Sequence, residues 1–474
     1  MSPISTDDAA GAGESAKRFR RAFTLTVVAL VILVAGVAGL NFLQGPKLSS
    51  GTVDVDRVVA RAGQQLRLFA NQSILSVSKK HVSVVPAVPF TVSTTGAIIA
   101  VQFTDRLRYD TKYSVRVSDV ANAFQPREST FDYSFTTASA QIYYLDRADP
   151  AASAGQVDSI MRTGLRGSER AIVYSAPRIQ QFVVFAQAIA VTTLADDGTS
   201  SLSLVGLSSK LVEKIQLPGP GTIDELQGES DAGLLGFVFT SAGAAVSREF
   251  TTVLMRVDLT GVHTVIPVPN LAGKPLGVLS WGFLGGSTNI VAQGQDQTVL
   301  LIDAAKSGPP VPLGQYTHLG RSAPDGKLIV VSDAFGNIAY SLADGTQTRL
   351  PSLPIAGAST YGGDVVLLDR GTARVQQVAV FDSATGGKFQ SYLVYESGTT
   401  SRVLYQTPDD AGSIENFSIS PNGQFVAVNV IPDYANSVSD GYAVNAQSTS
   451  ISTVFIDIAS GAVVRSVDGF NESW

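Results

Sequence analysis

The chain of 474 residues is 45% hydrophobic and 16% charged, and it contains 44 glycines and 21 prolines. This composition is typical of packed β-structure with many turns and excludes a disordered or coiled-coil protein. The net charge of −6 provides no broad basic surface for nucleic acid. The absence of cysteine excludes disulfides, thiolate metal sites and a cysteine nucleophile.

The N-terminal segment predicts a membrane anchor. Residues 1–21 are predicted to form a cytoplasmic tail, disordered over residues 1–16, that ends in four basic residues: Lys17, Arg18, Arg20 and Arg21. Residues 22–40 then carry no charge, and a helix of this length spans roughly the ~30 Å hydrocarbon core of a bilayer. We therefore predict a transmembrane helix over residues 22–43, with the bilayer as its partner.

The orientation of this helix follows from the charges around it. The basic cluster precedes the apolar segment, and only Lys47 follows it closely. The positive-inside rule places the N-terminus in the cytoplasm and the body outside the cell membrane, as a single-pass protein. A cleaved signal peptide is the alternative, because Gly36 and Ala38 provide small residues at cleavage spacing, although its apolar region is normally only about 7–15 residues long.

Residues 51–138, after a linker at residues 44–50, are predicted to form a β-sandwich. Apolar and polar residues alternate in short runs separated by turns, as half-buried strands require. Six or seven strands in fewer than about 90 residues fit a sandwich. The runs lie at residues 53–58, 66–68, 82–84, 100–103, 113–117 and 131–135.

Parts of this region resemble a known family. The segments VSVVP (82–86), VQF (101–103), LRYDTKYSV (107–115) and FTT (135–137) look like a bacterial Ig-like domain of the SbsA type. The family usually has a glycine-containing turn where this chain has residues 119–123, and we expect Asn122 to adopt the left-handed conformation there. The resemblance implies a spacer within an envelope protein of an actinobacterial style, without catalysis.

Residues 139–474 contain a repeat that predicts a β-propeller. The unit is an apolar strand, a turn and a second strand, and successive units recur after 39 to 52 residues, except for a last step of 75 residues. The long step contains a polar insert at residues 433–450, predicted to be a loop. Seven units predict an all-β ring of about seven blades, with six or eight within the counting error. The units lie at residues 159–167, 202–207, 254–261, 299–303, 338–345, 378–383 and 453–461.

Turn residues support the repeat. Asp325-Gly326, Gly362-Gly363 and Asn422-Gly423 each precede an apolar strand and supply the positive φ angles of tight hairpins. The segments SAPDGKLIVV (322–331), SISPNGQFVAV (418–428) and VFIDIASG (454–461) resemble a TolB-type propeller repeat, which implies the architecture alone. Residues 469–474 resemble the start of a further blade and are a candidate to close the ring near Ile142.

The sequence contains no recognisable chemical motif. Its three histidines, His81, His263 and His318, are isolated, which favours surface or strand positions over a zinc site. Several short segments approach a functional pattern but differ from it by one position or lack the structural context that it needs. These are residues 228–232 (nucleophile elbow), 341–346 (sialidase Asp-box), 285–287 (phosphate loop), and the adjacent pairs Asp196-Asp197 and Asp409-Asp410. We therefore predict no catalytic, cofactor-binding or metal-binding residues.

The leading hypothesis is a binding or scaffolding protein of the cell envelope, whose propeller face engages a protein or glycan partner. The alternative is a propeller-type hydrolase or lyase with residues converging on the central channel from different blades, which would leave no short motif. Several ionisable groups with perturbed pKa values at the channel mouth would favour the enzyme. A sensor role is less well supported, because a cytoplasmic tail of about 21 residues is too short for a signalling domain.

Overall fold

The computed structural model describes residues 9–42, 45–122, 125–148, 157–167, 169–244, 248–305, 308–382, 388–408 and 411–474. The chain divides into two compact units, Met1–Ala138 and Ser139–Trp474. The first contains one long helix and two small sheets, and the second contains seven four-stranded sheets.

The long helix α1 covers Ala9–Phe42. It begins inside the segment predicted to be a disordered tail, so that prediction is wrong for residues 9–16, where alanine is frequent and favours helix. Residues 1–8 and 43 of the predicted tail and span lie outside the described residues. Within the described part of the chain, no helix is long and apolar enough to cross a membrane. The transmembrane assignment of residues 22–43 therefore stays a prediction.

Two sheets make up the rest of the first unit. One has the strand order β1-β2-β5-β4 and the other β3-β6-β7. Their inner faces pack together, as the ring centroids of Phe103 and Phe135 lie 6.2 Å apart. The elements are β1 Leu48–Thr52, α2 Arg57–Ala60, β2 Gln65–Ala70, a 3₁₀ turn Lys79–His81, β3 Val82–Val85, β4 Phe90–Thr95, β5 Ile98–Phe103, β6 Lys112–Asn122 and β7 Gln125–Thr136.

Two details of this unit differ from the sequence-based expectation. The predicted strand at residues 53–58 is wrong, since β1 lies earlier, partly in the predicted linker, and Val58 is buried on the one-turn helix α2. Asp54 initiates that turn by accepting a hydrogen bond from the Arg57 N–H (2.9 Å). The left-handed residue is Asp119, with φ 55°, rather than Asn122, which ends β6.

The second unit confirms the predicted propeller. Seven antiparallel sheets each contain four strands. Blade 1 contains β35 Phe470–Ser473, β8 Gln141–Asp146, β9 Asp158–Gly164 and β10 Arg170–Ala176; blade 2 contains β11 Ile179–Val184, β12 Ala188–Leu194, β13 Ser200–Gly206 and β14 Val212–Ile215; blade 3 contains β15 Gly221–Glu229, β16 Leu234–Ser241, β17 Val253–Asp258 and β18 Val265–Pro267; blade 4 contains β19 Val278–Phe283, β20 Asn289–Gly294, β21 Thr298–Asp303 and β22 Val311–Gln315; blade 5 contains β23 His318–Ser322, β24 Leu328–Asp333, β25 Gly336–Ser341 and β26 Gln347–Arg349; blade 6 contains β27 Thr360–Leu368, β28 Ala373–Asp382, β29 Lys388–Ser397 and β30 Thr400–Gln406; and blade 7 contains β31 Ser413–Ile419, β32 Phe425–Ile431, β33 Ser452–Asp457 and β34 Val463–Asp468.

The C-terminal strand closes the ring. β35 pairs with β8 through Phe470↔Leu145 and Ser473↔Tyr143, so the candidate closure near Ile142 is the one that forms. Blade 1 therefore takes its first strand, β35, from the C-terminal end of the unit and its other three strands from the N-terminal end. Trp474 anchors this end, because its ring stacks on Phe425 at 6.4 Å.

The first strands of successive blades meet one another: β11 contacts β15, β15 contacts β19, β19 contacts β23, and β35 contacts β11. They are thus the innermost strands and line the central channel. The apolar core lies between blades, where buried side chains of neighbouring sheets pack together. One such cluster places Leu202 of blade 2 against Phe237 of blade 3.

The predicted repeat matches the blades with one exception. Six of the seven units fall on third strands, whereas the unit predicted at residues 378–383 overlaps β28, the second strand of blade 6. The third strand of that blade, β29, ends at Ser397 without the Asp that ends β17, β21 and β33. Likewise Gly362-Gly363 is not a hairpin turn, since both residues lie inside β27.

Candidate functional site at the mouth of the central channel

Every innermost strand contains a bulge. In each blade the register between the first and second strands shifts by one extra residue on the channel side, and such bulges re-aim side chains. We call residues 180, 225–226, 279, 320–321, 363–364, 415 and 471–472 the bulge ring. The shifts lie between Ile179 and Gln181, Asp224 and Gln227, Val278 and Ser280, Leu319 and Ser322, Gly362 and Val365, Ile414 and Asn416, and Phe470 and Ser473.

Side-chain hydrogen bonds join neighbouring blades around this ring. Amides and hydroxyls of one blade reach the backbone or a carboxylate of the next, so most polar groups here serve ring assembly. The bonds run from Asn471 Nδ2 to Phe182 O (3.3 Å), Leu226 N to Gln181 Oε1 (3.0 Å), Gln227 Nε2 to Trp281 O (3.1 Å), Ser280 Oγ to Leu319 O (3.2 Å), Asn337 Nδ2 to Gly363 O (2.9 Å), Gln377 Nε2 to Ile414 O (3.0 Å) and Ser418 Oγ to Glu472 Oε1 (2.5 Å).

Three carboxylates of the bulge ring have no such role. Within the described part of the chain, the side-chain oxygens of Glu225, Asp364 and Glu415 accept no hydrogen bond and form no ion pair. Asp364 and Glu415 are exposed, and Glu225 is partly buried. Glu472 differs, because Ser418 and Asn429 both donate to it. The unpaired carboxylates are therefore available to a ligand.

Glu225 combines strain with an altered proton affinity. Its φ of 48° lies in the left-handed region, which costs a non-glycine residue energy and often marks functional positions. Burial, and then the neighbouring Asp224 carboxylate, raise the pKa of Glu225 to about 7. Its carboxyl group can therefore gain or lose a proton near neutral pH.

Arg321 is the only basic residue of the bulge ring. Its guanidinium group extends from blade 5 to blade 7, where it donates to the Phe417 carbonyl and to Asn416 Oδ1. Burial lowers the pKa of Arg321, and the nearby Asp364 and Glu472 carboxylates oppose that effect. No carboxylate of the described residues forms an ion pair with it, so its charge offsets the acidic mouth only in part.

Exposed aromatic rings lie beside the mouth, at the same end of blade 6. Tyr361, Phe381 and Phe389, which we call the aromatic cluster, are 61%, 41% and 50% exposed. The ring of Phe389 lies 6.2 Å from Tyr361 and 5.1 Å from Phe381. Tyr361 also precedes Asp364 by three positions on β27. The cluster thus adds an apolar surface to the acidic mouth.

The polar insert of blade 7 covers the neighbouring part of this face. It links β32 to β33, and its Asp440 forms a salt bridge with Arg147 of blade 1 at 2.5 Å, each side chain being only 4% exposed. Tyr442 of the insert donates to the buried carboxylate of Asp158. Burial and this carboxylate raise the pKa of Tyr442. The insert forms the predicted loop, which these contacts fix to blade 1 as a strap.

Comparisons with known proteins find distant structural likeness only. No known family matches it, and no curated protein matches it. Among solved structures, it is similar to TolB from Acinetobacter baumannii (14% identity, TM-score 0.37, covering 77% of this chain and 80% of that one). It is also similar to the β-propeller domain of the Trilobed protease from Pyrococcus furiosus (10%, 0.42, 72% and 95%) and to a putative 6-phosphogluconolactonase from Bacteroides fragilis (13%, 0.39, 71% and 95%). Likeness this distant carries no information about activity, and the propeller assignment rests on the strand topology.

The histidines and the acidic pair Asp196-Asp197 lie at separate places in the structure. His81 bonds Asp119 at 2.6 Å, His263 bonds Glu213 at 2.7 Å, and His318 is exposed at the start of β23. Asp196-Asp197 occupies a turn, and Asp409-Asp410 lies outside the described residues. Among the residues that the structure describes, no group of three potential ligands could hold a metal ion.

Sequence reasoning missed the bulge ring because its members are far apart in the chain. Arg321 and Glu415 precede the Asp325-Gly326 and Asn422-Gly423 turns by four and seven residues. Because the two spacings differ, aligning the blades on these turns does not bring the charged positions into one column.

Proposed function

We propose that this protein is a membrane-anchored, extracytoplasmic binding or scaffolding protein of the cell envelope, and that the channel mouth of its propeller engages a protein or glycan partner. The binding role is supported by the unpaired carboxylates at the bulges of the channel-lining strands and by the exposed aromatic cluster of blade 6, in which Tyr361 precedes Asp364 by three positions. Aromatic rings that remain exposed on a folded domain are typical of recognition surfaces.

The anchor is supported by helix α1. Ten large apolar side chains between residues 19 and 34 are 41% to 72% exposed, a surface unfavourable in water. The basic cluster at residues 17–21 would then lie on the cytoplasmic side. In this arrangement the two-sheet unit, with its Ig-like resemblance, is the spacer between membrane and propeller.

An enzyme, a hydrolase or lyase working in the channel, is the second candidate. Glu225 favours it, because a carboxyl group with a pKa near 7 suits general acid–base catalysis. However, Arg321, the basic residue of the bulge ring, is already bonded to blade 7. The several convergent groups that a catalytic site needs are not assembled, so binding is the better-supported function.

Two measurements on cells test the proposal. Single cysteines at Ser5 and at Val262, which is 87% exposed, report orientation against a thiol background of zero. An impermeant reagent should label only the second.

A photo-reactive amino acid at Tyr361 should form adducts with an envelope component, whereas the same residue at Val262 should not. Adducts at neither position, or labelling of Ser5→Cys on intact cells, would contradict the proposal. Release of a product from envelope material by the wild type, but not by Glu225→Gln, would favour the enzyme.

A further inference from the structure

The arginines that precede the apolar segment are part of helix α1. Arg18, Arg20 and Arg21 lie within Ala9–Phe42, and all three are exposed. At roughly 100° of rotation per residue, they occupy one side of the helix, whereas Phe19 and Phe23 occupy the other. The two phenylalanine rings stack there, with their centroids 6.3 Å apart. This turn of the helix therefore has a charged side and an aromatic side.

The arginines have no partner within the described part of the chain. No hydrogen bond or ion pair joins their side chains to another described residue. Arg18 and Arg21 are only about 4.5 Å apart along the helix axis, and like charges at that spacing repel each other. An anionic partner would remove this repulsion.

The apolar surface of the same helix indicates which anion fits. Ten large apolar side chains between residues 19 and 34 are 41% to 72% exposed. Free phosphate or a soluble polyanion could contact the arginines, but it would leave this surface in water. An anionic phospholipid satisfies both, because its charged headgroup and its acyl chains are adjacent at the membrane surface.

The two threonines that follow the arginines do not oppose such a position. Thr24 Oγ1 donates to the Arg20 carbonyl oxygen (2.7 Å), and Thr26 Oγ1 donates to the Ala22 carbonyl oxygen (2.9 Å). Polar groups in hydrocarbon need internal partners of this kind. The helix can therefore enter the acyl region directly after the arginines, which leaves their guanidinium groups at the level of the headgroups.

We propose that the arginine side of α1 binds anionic phospholipid headgroups in the leaflet at which the helix enters the membrane, with Phe19 and Phe23 packed against acyl chains. This inference rests on the proposed anchor and specifies the lipid. Arginine suits the role, because its planar group can donate two parallel hydrogen bonds to one phosphate. The attraction is electrostatic and should weaken with added salt.

The test uses the full chain reconstituted in phosphatidylcholine vesicles that contain a small fraction of acyl-labelled lipid. The variant Ser15→Cys has a single thiol and carries a coumarin donor about one turn before Arg18. Energy transfer from this donor is compared between NBD-labelled phosphatidylglycerol, which is anionic, and NBD-labelled phosphatidylcholine.

Two triple variants are compared in this background. Arg18→Gln/Arg20→Gln/Arg21→Gln removes the proposed contacts and keeps good helix formers. The matched control, Arg67→Gln/Lys112→Gln/Arg116→Gln, removes the same charge from exposed residues of the two small sheets.

The chain with its native arginines, and the control, should transfer about twofold more energy to phosphatidylglycerol than to phosphatidylcholine, and salt should reduce this preference. The arginine variant should transfer equally to both. Equal transfer by the chain with native arginines, or an unchanged preference in the arginine variant, would overturn the inference. So would a preference that inorganic phosphate abolishes more strongly than sodium chloride of the same ionic strength, because the arginines would then bind free phosphate. If carbonate washing removes the labelled chain from the vesicles, the proposed anchor itself is contradicted.

Discussion

Removing Arg147 should weaken the closure of the propeller more than removing any exposed charged residue would. Its guanidinium donates to Asp440 Oδ2 (2.5 Å) and Asn445 O (2.9 Å) of the strap. It also donates to the carbonyl oxygens of Ile179 (3.1 Å) and Gln180 (3.0 Å) on blade 2. In addition it lies 4.8 Å from the ring of Phe470 on the closing strand. One side chain therefore joins blades 1, 2 and 7.

The expected magnitude follows from burial. Arg147 and Asp440 are each 4% exposed, and removing one partner of a buried pair costs about 3–5 kcal/mol, because the other charge is left uncompensated. Arg147→Leu should therefore destabilise the propeller by about that amount. The double variant Arg147→Leu/Asp440→Leu should lose less than the sum of the single variants, since neither charge is then left alone.

Tryptophan fluorescence measures this unit selectively, because the two tryptophans of the chain, Trp281 and Trp474, both lie in the propeller. Urea titration of the full chain in micelles should show the Arg147→Leu midpoint lowered by about 1–2 M. The control is Arg170→Leu, whose pair with Asp146 is 47% and 40% exposed and should contribute at most about 1 kcal/mol. If Arg147→Leu and Arg170→Leu unfold at the same midpoint, the reasoning is refuted.

Three further predictions concern ring closure, pH and the anchor. Deleting residues 470–474 removes the innermost strand of blade 1 and should abolish the single cooperative tryptophan transition; a soluble protein with only a modestly lowered midpoint would instead indicate an open array. The pKa of Glu225 is raised in the folded state, from 4.5 to about 7, so propeller stability should fall as pH rises from about 4.5 to 7, by at most about 1–2 kcal/mol after screening. Glu225→Gln should reduce this loss of stability with rising pH, and Glu415→Gln should not. If urea titrations at pH 5 and pH 7.5 give the same change in stability for the wild type and for Glu225→Gln, the assignment is contradicted. Leu30→Arg/Leu33→Arg raises the free energy of membrane insertion by about 2.5–3.5 kcal/mol per charge. The variant protein should therefore be absent from carbonate-washed membranes, and its retention there would mean that another element holds the protein at the membrane.

The sequence alone determined the elements whose signals are local. Turn residues such as Asn422-Gly423, together with the strand spacing, were sufficient for an all-β propeller of six to eight blades, because a blade is built from neighbouring hairpins. The same local signals failed where a strand is shaped by its neighbours. Gly362-Gly363 has the composition of a turn, but it lies inside β27, because the innermost strand of blade 6 bulges there.

Only the tertiary structure decided the candidate site. Glu225, Asp364 and Glu415 are ordinary surface residues when the chain is read in order. The structure places each of them at the bulge of an innermost strand, and ring closure brings these strands of blades 3, 6 and 7 around a common channel. The closing strand and the strap are likewise contacts between segments that lie far apart in the chain, such as Arg147 and Asp440. No periodicity encodes such pairings, because they depend on where the ring returns to its own beginning.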